Sequence, residues 1–362
     1  MEESKGKIGL KEFIVLTIIM IGTKVADDTP AILFESLHNA GWMAPLINGI
    51  IAIIPIYLLI KVVTSYDRKG LIHVTNDLFG KFFGFSIVFI LWVFLFSALI
   101  IDTAIYADII TSVYYIKTPT IIIYGVLMLV CAYGAKRGLE QIGSVAYLTY
   151  PYLQLTFFIA LLLTITQGNV HFLFPLFGPG GWEVLKESAL KLSIYGDLLY
   201  LFILIPYISS TKNFKKGTWI AFIIIVLNLT IAMASYVFFF DYNSVMELNY
   251  PYHEVIRTIT GGFLTNLETF FFPFWIIASI VRFAIYLYLT AILFGHLFKI
   301  KHFEYVIPTL ATLIVFIGVI PESTSSTIFQ LRQGLLSIST PVFFFLPCLM
   351  WLVAKLKGVT KK

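Results

Sequence analysis

Three charged side chains, Lys24, Asp27 and Asp28, lie inside an apolar stretch that runs from about Leu10 to His38. An ionised group at the centre of a bilayer costs about 2.5 to 3.5 kcal/mol on insertion scales when it faces lipid. Charges at this depth therefore face protein or a water-filled cavity, where they form ion pairs, relay protons or hold ligands. The chemistry that these residues offer is the binding of a small charged group near the middle of a membrane.

The backbone beside these charges contains two residues that interrupt α-helices. Gly22 permits a bend, and Pro30 disfavours helix at the preceding Thr29 but can open a new helix as a first-turn residue. We therefore predict that the backbone leaves the α-helix between about Gly22 and Thr29.

A second apolar run extends from Leu190 to Ile205 and also contains a glycine beside a charged residue, at Tyr195-Gly196-Asp197. This pattern predicts a second break, from about Leu192 to Leu198. Breaks in corresponding members of two five-helix halves are typical of inverted-repeat transporters, whose ligand lies between the breaks. Half-helix N-termini attract an anionic group, and freed carbonyls attract a cationic one. The pair of breaks therefore suits a zwitterion such as an amino acid.

The predicted ligand site draws on both breaks. We expect the ligand carboxylate at backbone N–H groups of Gly22 to Ala26 and its ammonium at carbonyls of Ile194 to Gly196. Asp102 or Asp197 would supply negative charge. Three aromatic residues would limit the size of the ligand side chain: Tyr106, Tyr195 and Phe271. The full predicted set is Gly22, Thr23, Lys24, Val25, Ala26, Asp102, Tyr106, Ile194, Tyr195, Gly196, Asp197 and Phe271.

Arg282 lies deep in another apolar run and needs an acidic partner, because an unpaired buried guanidinium is costly. Asp27 or Asp28 is the expected partner, so these three residues form a candidate ion-pair or coupling group. The alternative is that Arg282 snorkels to the cytoplasmic side along a tilted helix. Lys24 has three alternative roles: it replaces a coupling ion, binds a ligand carboxylate or neutralises an aspartate.

The composition excludes a chain that folds mainly in water. Of the 362 residues, 59% are hydrophobic and 12% are charged, whereas soluble domains carry roughly 25% charged residues. A membrane helix needs about 20 apolar residues, so we predict an all-α integral membrane protein in which ten spans form a single domain. Its two repeats cover about residues 8–168 and 183–357. The spans are predicted at about Leu10–His38, Trp42–Thr64, Phe82–Tyr115, Thr118–Ala135, Gln141–Thr166, Ser188–Ser209, Thr218–Phe240, Phe263–Phe298, Tyr305–Ile320 and Ser337–Lys355.

Two connecting segments, Gly178–Lys191 and Tyr242–Thr260, mix aromatic and charged residues. We predict that they are interfacial or short amphipathic pieces.

Lys and Arg residues are distributed unequally between the two sides of these predicted spans. One side holds 18 of the 25, including those near both chain ends, and the other side holds 5. The remaining two, Lys24 and Arg282, fall within spans. Cytoplasmic loops of membrane proteins carry the excess of positive charge, so we predict that both termini are cytoplasmic. The smaller set is Lys117, Lys186, Lys191, Arg257 and Arg332.

Other classes of function find little support in the sequence. It contains no phosphate-binding glycine loop, HExxH motif or Gly-x-Ser-x-Gly elbow, and its six histidines are scattered. We therefore expect no catalytic residue, no cofactor and no metal site. The net charge of +5 needs no nucleic-acid partner, because the basic residues anchor cytoplasmic loops. We also expect the first span to be retained, since its long apolar segment has no small-residue cleavage site.

Several short segments carry a resemblance to a known family, and they are Ile8–Phe13, Ile21–Lys24, Thr29–Pro30, Asn39–Trp42, Ala135–Glu140 and Phe174–Gly178. In order and spacing they resemble the spore germination permeases, the membrane-embedded B subunits of GerA-type germinant receptors in the amino acid-polyamine-organocation (APC) superfamily. The resemblance implies a LeuT/APC-like fold of ten helices in two inverted five-helix repeats, located in the inner membrane of a bacterial spore.

The same resemblance implies a function. The chain would sense L-amino acids or other nutrients together with an A subunit and a lipoprotein C subunit. Sodium-coupled relatives place hydroxyl residues on the eighth helix opposite the first, whereas this chain carries Arg282 as well as Ser279 there. Two alternatives to sensing stay open: a proton-coupled amino acid transporter and a non-binding membrane scaffold for partner subunits.

Overall fold

The computed structural model describes residues 7–66, 68–259, 267–321, 323 and 326–359. Within these residues the chain forms α-helices joined by 3-10 and π-helical turns, with an isolated parallel bridge between Ile8 and Ile208. The α-helices are α1 (Leu10–Gly22), α2 (Thr29–Leu37), α3 (Ala44–Val63), α4 (Leu71–Ile109), α5 (Thr120–Arg137), α6 (Leu139–Gln167), α7 (Gly181–Leu190), α8 (Leu198–Leu201), α9 (Thr211–Phe240), α10 (Tyr242–Met246), α11 (Pro251–Thr258), α12 (Leu267–Leu297), α13 (Ile307–Gly318) and α14 (Gln333–Leu356).

The first predicted break is confirmed. Helix α1 ends at Gly22 and is followed by a 3-10 turn over Thr23–Ala26. Asp27 then takes an extended conformation (φ −103°, ψ −157°), and its side chain accepts a hydrogen bond of 2.8 Å from the N–H of Thr29. Helix α2 begins there with Pro30 in its first turn, as expected for a residue that lacks an N–H.

The second predicted break is also confirmed, but the helix before it differs from the expectation. The break consists of a 3-10 turn, Leu192–Tyr195, followed by α8 and a further 3-10 stretch, Phe202–Tyr207. Helix α7 is bent by 48° relative to Leu192–Tyr207, and together they are apolar enough to form one broken span. The predicted start of the sixth span at Ser188 therefore falls inside α7, and the prediction that Gly178–Lys191 is an interfacial or short amphipathic piece stays a prediction.

Seven helical stretches in the described residues are long and apolar enough to cross a membrane, and the bent pair raises the number to eight. Helix α12 is the most enclosed, since 83% of its most apolar part is buried, against 28% to 50% in the other six. It packs against α1, α4, α5 and α6. Its side chains therefore face other helices, which makes it a suitable carrier for a charged residue.

Two other regions can be compared with the predictions. Helix α4 begins well before the predicted Phe82, and Gly80, with φ of 77°, separates its first two turns from the rest. Only glycine adopts this φ without strain, so the residue marks a kink. The segment after α9 forms the short helices α10 and α11, as predicted for an amphipathic connection. The predicted start of the eighth span at Phe263 lies outside the described residues.

Backbone hydrogen bonds join the beginning of α1 to the end of the second broken helix. The N–H of Ile8 donates to the carbonyl of Tyr207 at 3.0 Å, and the N–H of Ser209 donates to the carbonyl of Ile8 at 3.1 Å. The segment that leads into α1 is thus directly connected to the end of the second broken helix.

Candidate functional site

Arg282 of α12 is the centre of a buried charge network at the first break. Its guanidinium donates to Asp102 at 2.6 Å, to Asp27 at 3.2 Å and to the hydroxyl of Tyr106 at 2.8 Å. Its side chain is 0% exposed. The predicted pairing with Asp27 is confirmed, and the alternative in which Arg282 reaches cytoplasmic water is wrong.

Arg332, which immediately precedes α14, extends this network. Its Nη1 donates to the second carboxylate oxygen of Asp102, and its Nε lies 3.8 Å from the Asp28 carboxylate. The prediction that Arg332 lies with the basic residues of the outer side did not include this role. The polar residues around it look like a connection, and only packing between α14, α4 and the first break reveals the pairing.

Lys24 joins the two breaks. Its ammonium lies 2.5 Å from the carboxylate of Asp197 and donates to the carbonyl of Ile194 at 2.7 Å. Of the three roles considered for Lys24, the structure therefore shows the neutralisation of an aspartate. The lysine also occupies the position beside Ile194 that we expected for a ligand ammonium.

Side chains from three other elements bind the carbonyl groups of the first break. The hydroxyl of Tyr106 donates to the carbonyl of Thr23 at 3.2 Å, and that of Tyr236 donates to Val25 at 2.8 Å. The Nε2 atom of His253 lies 2.9 Å from the carbonyl of Ala26. These contacts replace the hydrogen bonds that an intact α-helix would make, and they hold the turn open.

The network has one more acid than base among the described residues. Four carboxylates (Asp27, Asp28, Asp102 and Asp197) meet three cations (Lys24, Arg282 and Arg332), so at their usual charges the sum is −1. All except Asp197 are at most 3% exposed. An added positive group would be attracted to this region.

Two cavities flank the breaks. The first, which we call the charged cavity, has a volume of about 50 Å³ and lies beside the second break, between that break, α4 and α14. Its polar lining includes Lys24, Ser193, Asp197, Arg332 and Ser339. The Nη2 atom of Arg332 is buried and has no hydrogen-bond partner in the described part of the chain. The exposed fraction of Asp197, 13%, is the largest in the network.

The second, which we call the neutral cavity, has a volume of about 70 Å³ and lies on the other side of the first break, against α6, α9 and α12. None of the described residues that line it is charged. Five predicted site residues line it: Gly22, Thr23, Val25, Ala26 and Phe271.

The structure thus divides the predicted site residues among three places. Lys24, Gly196 and Asp197 line the charged cavity, and Asp102 and Tyr106 belong to the network between the cavities. Tyr195 does not limit either cavity, because its hydroxyl donates to Pro45 at 2.8 Å and its ring packs against Phe222. Other residues of the charged cavity were not predicted from the sequence, among them Phe94, Ser193, Tyr200 and Ser339.

Two interrupted helices that meet at a buried charge network, in an apolar all-helical chain, define a membrane protein with a transporter-like fold. A solved structure supports this class. The crystal structure of MhsT in complex with L-phenylalanine matches with a TM-score of 0.63, covering 91% of this chain and 87% of that chain at 13% sequence identity. This likeness shows the fold alone.

The family follows from the sequence comparison. The model of the spore permease family, described as "Spore germination protein", matches residues 8–327, so the chain belongs to the spore germination permease family. It is 26% identical to spore germination protein KB of Bacillus subtilis over 307 residues, which cover 82% of this chain and 80% of that protein. It is 22% identical to spore germination protein YndE of the same organism over 347 residues, which cover 94% of each chain. The family is not a known class of enzyme.

Proposed function

We propose that the chain senses a nutrient, an amino acid, as the membrane-embedded B subunit of a spore germinant receptor. The observation that carries this proposal is the charged cavity, where a cation and an anion from the two breaks lie side by side. A transporter-like fold that binds without turnover can report occupancy, because a ligand shifts the balance between two conformations by its difference in affinity for them.

The ligand geometry that we propose uses the Lys24–Asp197 pair. The α-carboxylate of the amino acid would accept from Lys24 and from the free Nη2 of Arg332, and its ammonium would meet Asp197. The excess negative charge of the network favours that ammonium. Aromatic residues of the cavity, Phe94 and Tyr200, would contact the ligand side chain. The volume of about 50 Å³ favours the smallest amino acids in this closed form.

The neutral cavity is a poor site for a zwitterion. Burying a charged group without a charged or hydrogen-bonding partner is costly, and this cavity offers only amide, hydroxyl and indole groups. The fold neighbour MhsT was solved in complex with L-phenylalanine, and an amino acid is the class of ligand that we propose here.

We further propose a ten-span topology with both termini cytoplasmic, in the spore inner membrane. It counts α1 with α2, and α7 with residues 192–207, as two broken spans, and α13 as a short one. The inverted repeats would then cover about residues 8–168 and 183–357. The buried position of Arg332 supports the orientation, since it leaves fewer basic residues on the outer side.

An A-type subunit and a lipoprotein C-type subunit are the proposed partners. Co-expression of the three chains followed by purification through a tag on this one tests the assembly, and its absence at stoichiometric levels would contradict it.

Equilibrium binding of labelled L-alanine to the purified full chain in lipid nanodiscs tests the site. Ser339→Phe fills the charged cavity without removing an ion pair and is expected to weaken binding by at least about tenfold. Ser337→Phe, at an exposed position of the same helix, is the matched control. Equal binding by both variants would place the amino acid elsewhere.

Uptake by proteoliposomes separates sensing from transport. Saturable binding with no accumulation of labelled alanine supports a sensor, whereas accumulation driven by a proton gradient would favour the transporter. Germination of spores that carry Ser339→Phe or Ser337→Phe connects the binding result to the physiological response.

A further inference from the structure

The neutral cavity has features of a second ligand site that the proposed amino acid site does not use. It is separated from the charged cavity by the turn Thr23–Ala26, since Thr23, Val25 and Ala26 line one cavity and Lys24 lines the other. Residues of α1, α6, α9, α11 and α12 complete its wall.

One of these side chains carries an unused hydrogen-bond donor. Trp275 is 1% exposed, and its indole Nε1 has no hydrogen-bond partner in the described part of the chain. A buried donor without an acceptor is unfavourable, so an acceptor that comes within hydrogen-bond distance of this group would be stabilised by it.

A pair of amides lies at another part of the wall. Asn228 of α9 donates to Gln154 of α6 at 3.4 Å, a long hydrogen bond. Each amide carries both a donor and an acceptor, so together they can recognise an uncharged polar group.

Apart from Thr23, the rest of the wall is apolar or aromatic. Phe157, Tyr252 and Phe271 line it together with Ile19 and Leu153. Water alone would meet few polar partners on these faces, whereas a small molecule with an apolar part and one polar end matches both kinds of surface. The lack of charge on the described lining residues favours a neutral molecule over an ion.

The cavity is also connected to the charge network. The indole of Trp275 stacks on the ring of Tyr106, with centroids 5.2 Å apart, and the hydroxyl of Tyr106 accepts from Arg282. An occupant that shifts Trp275 would therefore act on the side chain that binds both Arg282 and the first break.

We propose that the neutral cavity binds a small uncharged molecule with a hydrogen-bond acceptor, such as a short primary amide or an alcohol, and that this occupant changes the affinity of the charged cavity for its ligand. The volume of about 70 Å³ corresponds to about two waters of liquid and limits the occupant to a few heavy atoms in this closed form. Coupling between two sites is reciprocal, so the amino acid changes the affinity for the neutral ligand by the same factor.

Acetamide is the probe that tests this proposal. Its binding to the purified full chain in nanodiscs can be followed by saturation-transfer NMR titration. Trp275→Phe keeps an aromatic ring against Tyr106 but removes the donor, and Asn228→Leu removes one amide. Each is expected to weaken acetamide binding about tenfold. Trp182→Phe, at a position that is 72% exposed, is expected to leave it unchanged.

Thermal unfolding of each variant checks that the fold is retained. Wild-type protein that shows no saturable acetamide binding would overturn the proposal, and so would equal affinities in Trp275→Phe, Asn228→Leu and wild type. The two binding measurements test the two sites independently. Acetamide binding does not require Asp197, and alanine binding does not require the Trp275 donor, so either proposal can be wrong without the other. Coupling is expected as a shift in alanine affinity at saturating acetamide, and an unchanged affinity would refute that part.

Discussion

The ammonium of Lys24 lies 2.5 Å from the carboxylate of Asp197, so a side chain from the break after α1 neutralises a side chain from the break before α8. Lys24 also donates to the carbonyl of Ile194, which the second break leaves without an α-helical partner. One ion pair thus fixes the relative position of both breaks. Any ligand that enters between them competes with this pair or binds beside it.

Separating the pair is expected to destabilise the protein strongly. Lys24→Met leaves Asp197 charged in a buried site, and removal of one partner from such a pair typically costs about 3 to 5 kcal/mol. The double variant Lys24→Met, Asp197→Leu should recover much of this loss. Thermal unfolding of the purified variants measures the difference. Lys69→Met is the matched control, because Lys69 pairs with Asp77 at the surface at a similar distance of 2.7 Å.

Arg282→Lys is expected to fail at restoring the network although it keeps the charge. The guanidinium contacts Asp27 and Asp102 with different nitrogens, and a single ammonium cannot reproduce that geometry. Arg282→Met should harm folding more than Arg282→Met combined with Asp27→Asn, because the single change leaves more carboxylate charge unpaired. Yield of monodisperse protein and unfolding temperature report the result. Equal loss in the single and double variants would argue against direct pairing.

Gly49→Ala should loosen the contact between α3 and α9. A Cβ at Gly49 would lie 2.8 Å and 2.9 Å from the two γ carbons of Val226, a side chain that cannot easily rotate away. Overpacking of this kind typically costs about 1 to 3 kcal/mol. Gly125→Ala on α5 is the control, since a Cβ there meets no atom within 4 Å. A comparable loss of stability in both variants would contradict the packing argument.

The proposed orientation predicts opposite labelling of two surface lysine positions. With Cys131 and Cys348 replaced by serine, Lys136→Cys should react with a membrane-impermeant maleimide only from the cytoplasmic side, and Lys117→Cys only from outside. Lys136 is exposed in the last turn of α5, and Lys117 is exposed in the turn before α5. Reaction of both positions from the same side would invalidate the topology.

Replacing Gly22 by a residue with a bulky side chain is expected to abolish the response to nutrient, although the protein still inserts into the membrane. A Cβ at this position meets only a carbon of Ile18 at an ordinary 3.5 Å, so Gly22→Ala should behave nearly as wild type. Gly22→Phe would project into the neutral cavity and obstruct the backbone of the first break. Germination rates of spores with each variant, normalised to protein level, give the comparison. If spores with Gly22→Phe germinate at the wild-type rate, the response requires neither movement of the first break nor contact of the ligand with its backbone.

The sequence predicted what depends on local pattern and on the cost of buried charge. The glycine, the proline and three adjacent charges mark the first break, and the depth of Arg282 in an apolar run demands an acid such as Asp27. Both features follow from residues that lie in one segment or from a requirement that any fold must satisfy.

What the sequence could not supply is the register between distant segments. Arg332 lies in a polar stretch that resembles a loop, and its pairing with Asp102 depends on how α14 meets α4. Likewise, the short helix α7 does not stand out as apolar by itself, and its continuation at an angle of 48° into Leu192–Tyr207 depends on the fold. The two cavities could not be predicted either, because they depend on how distant segments pack. Even the adjacent residues Thr23 and Lys24 line different cavities.

The backbone link of Ile8 to Tyr207 and Ser209 has a mechanical consequence. A movement of α1 alone away from residues 207–209 would break both hydrogen bonds and expose their polar groups. With these hydrogen bonds intact, α1 and the stretch from α8 to Tyr207 would move together as one rigid body, with the two breaks as hinges. Lys24 and Asp197 lie at these two hinges. The ion pair that lines the charged cavity would therefore also connect the hinges of this motion.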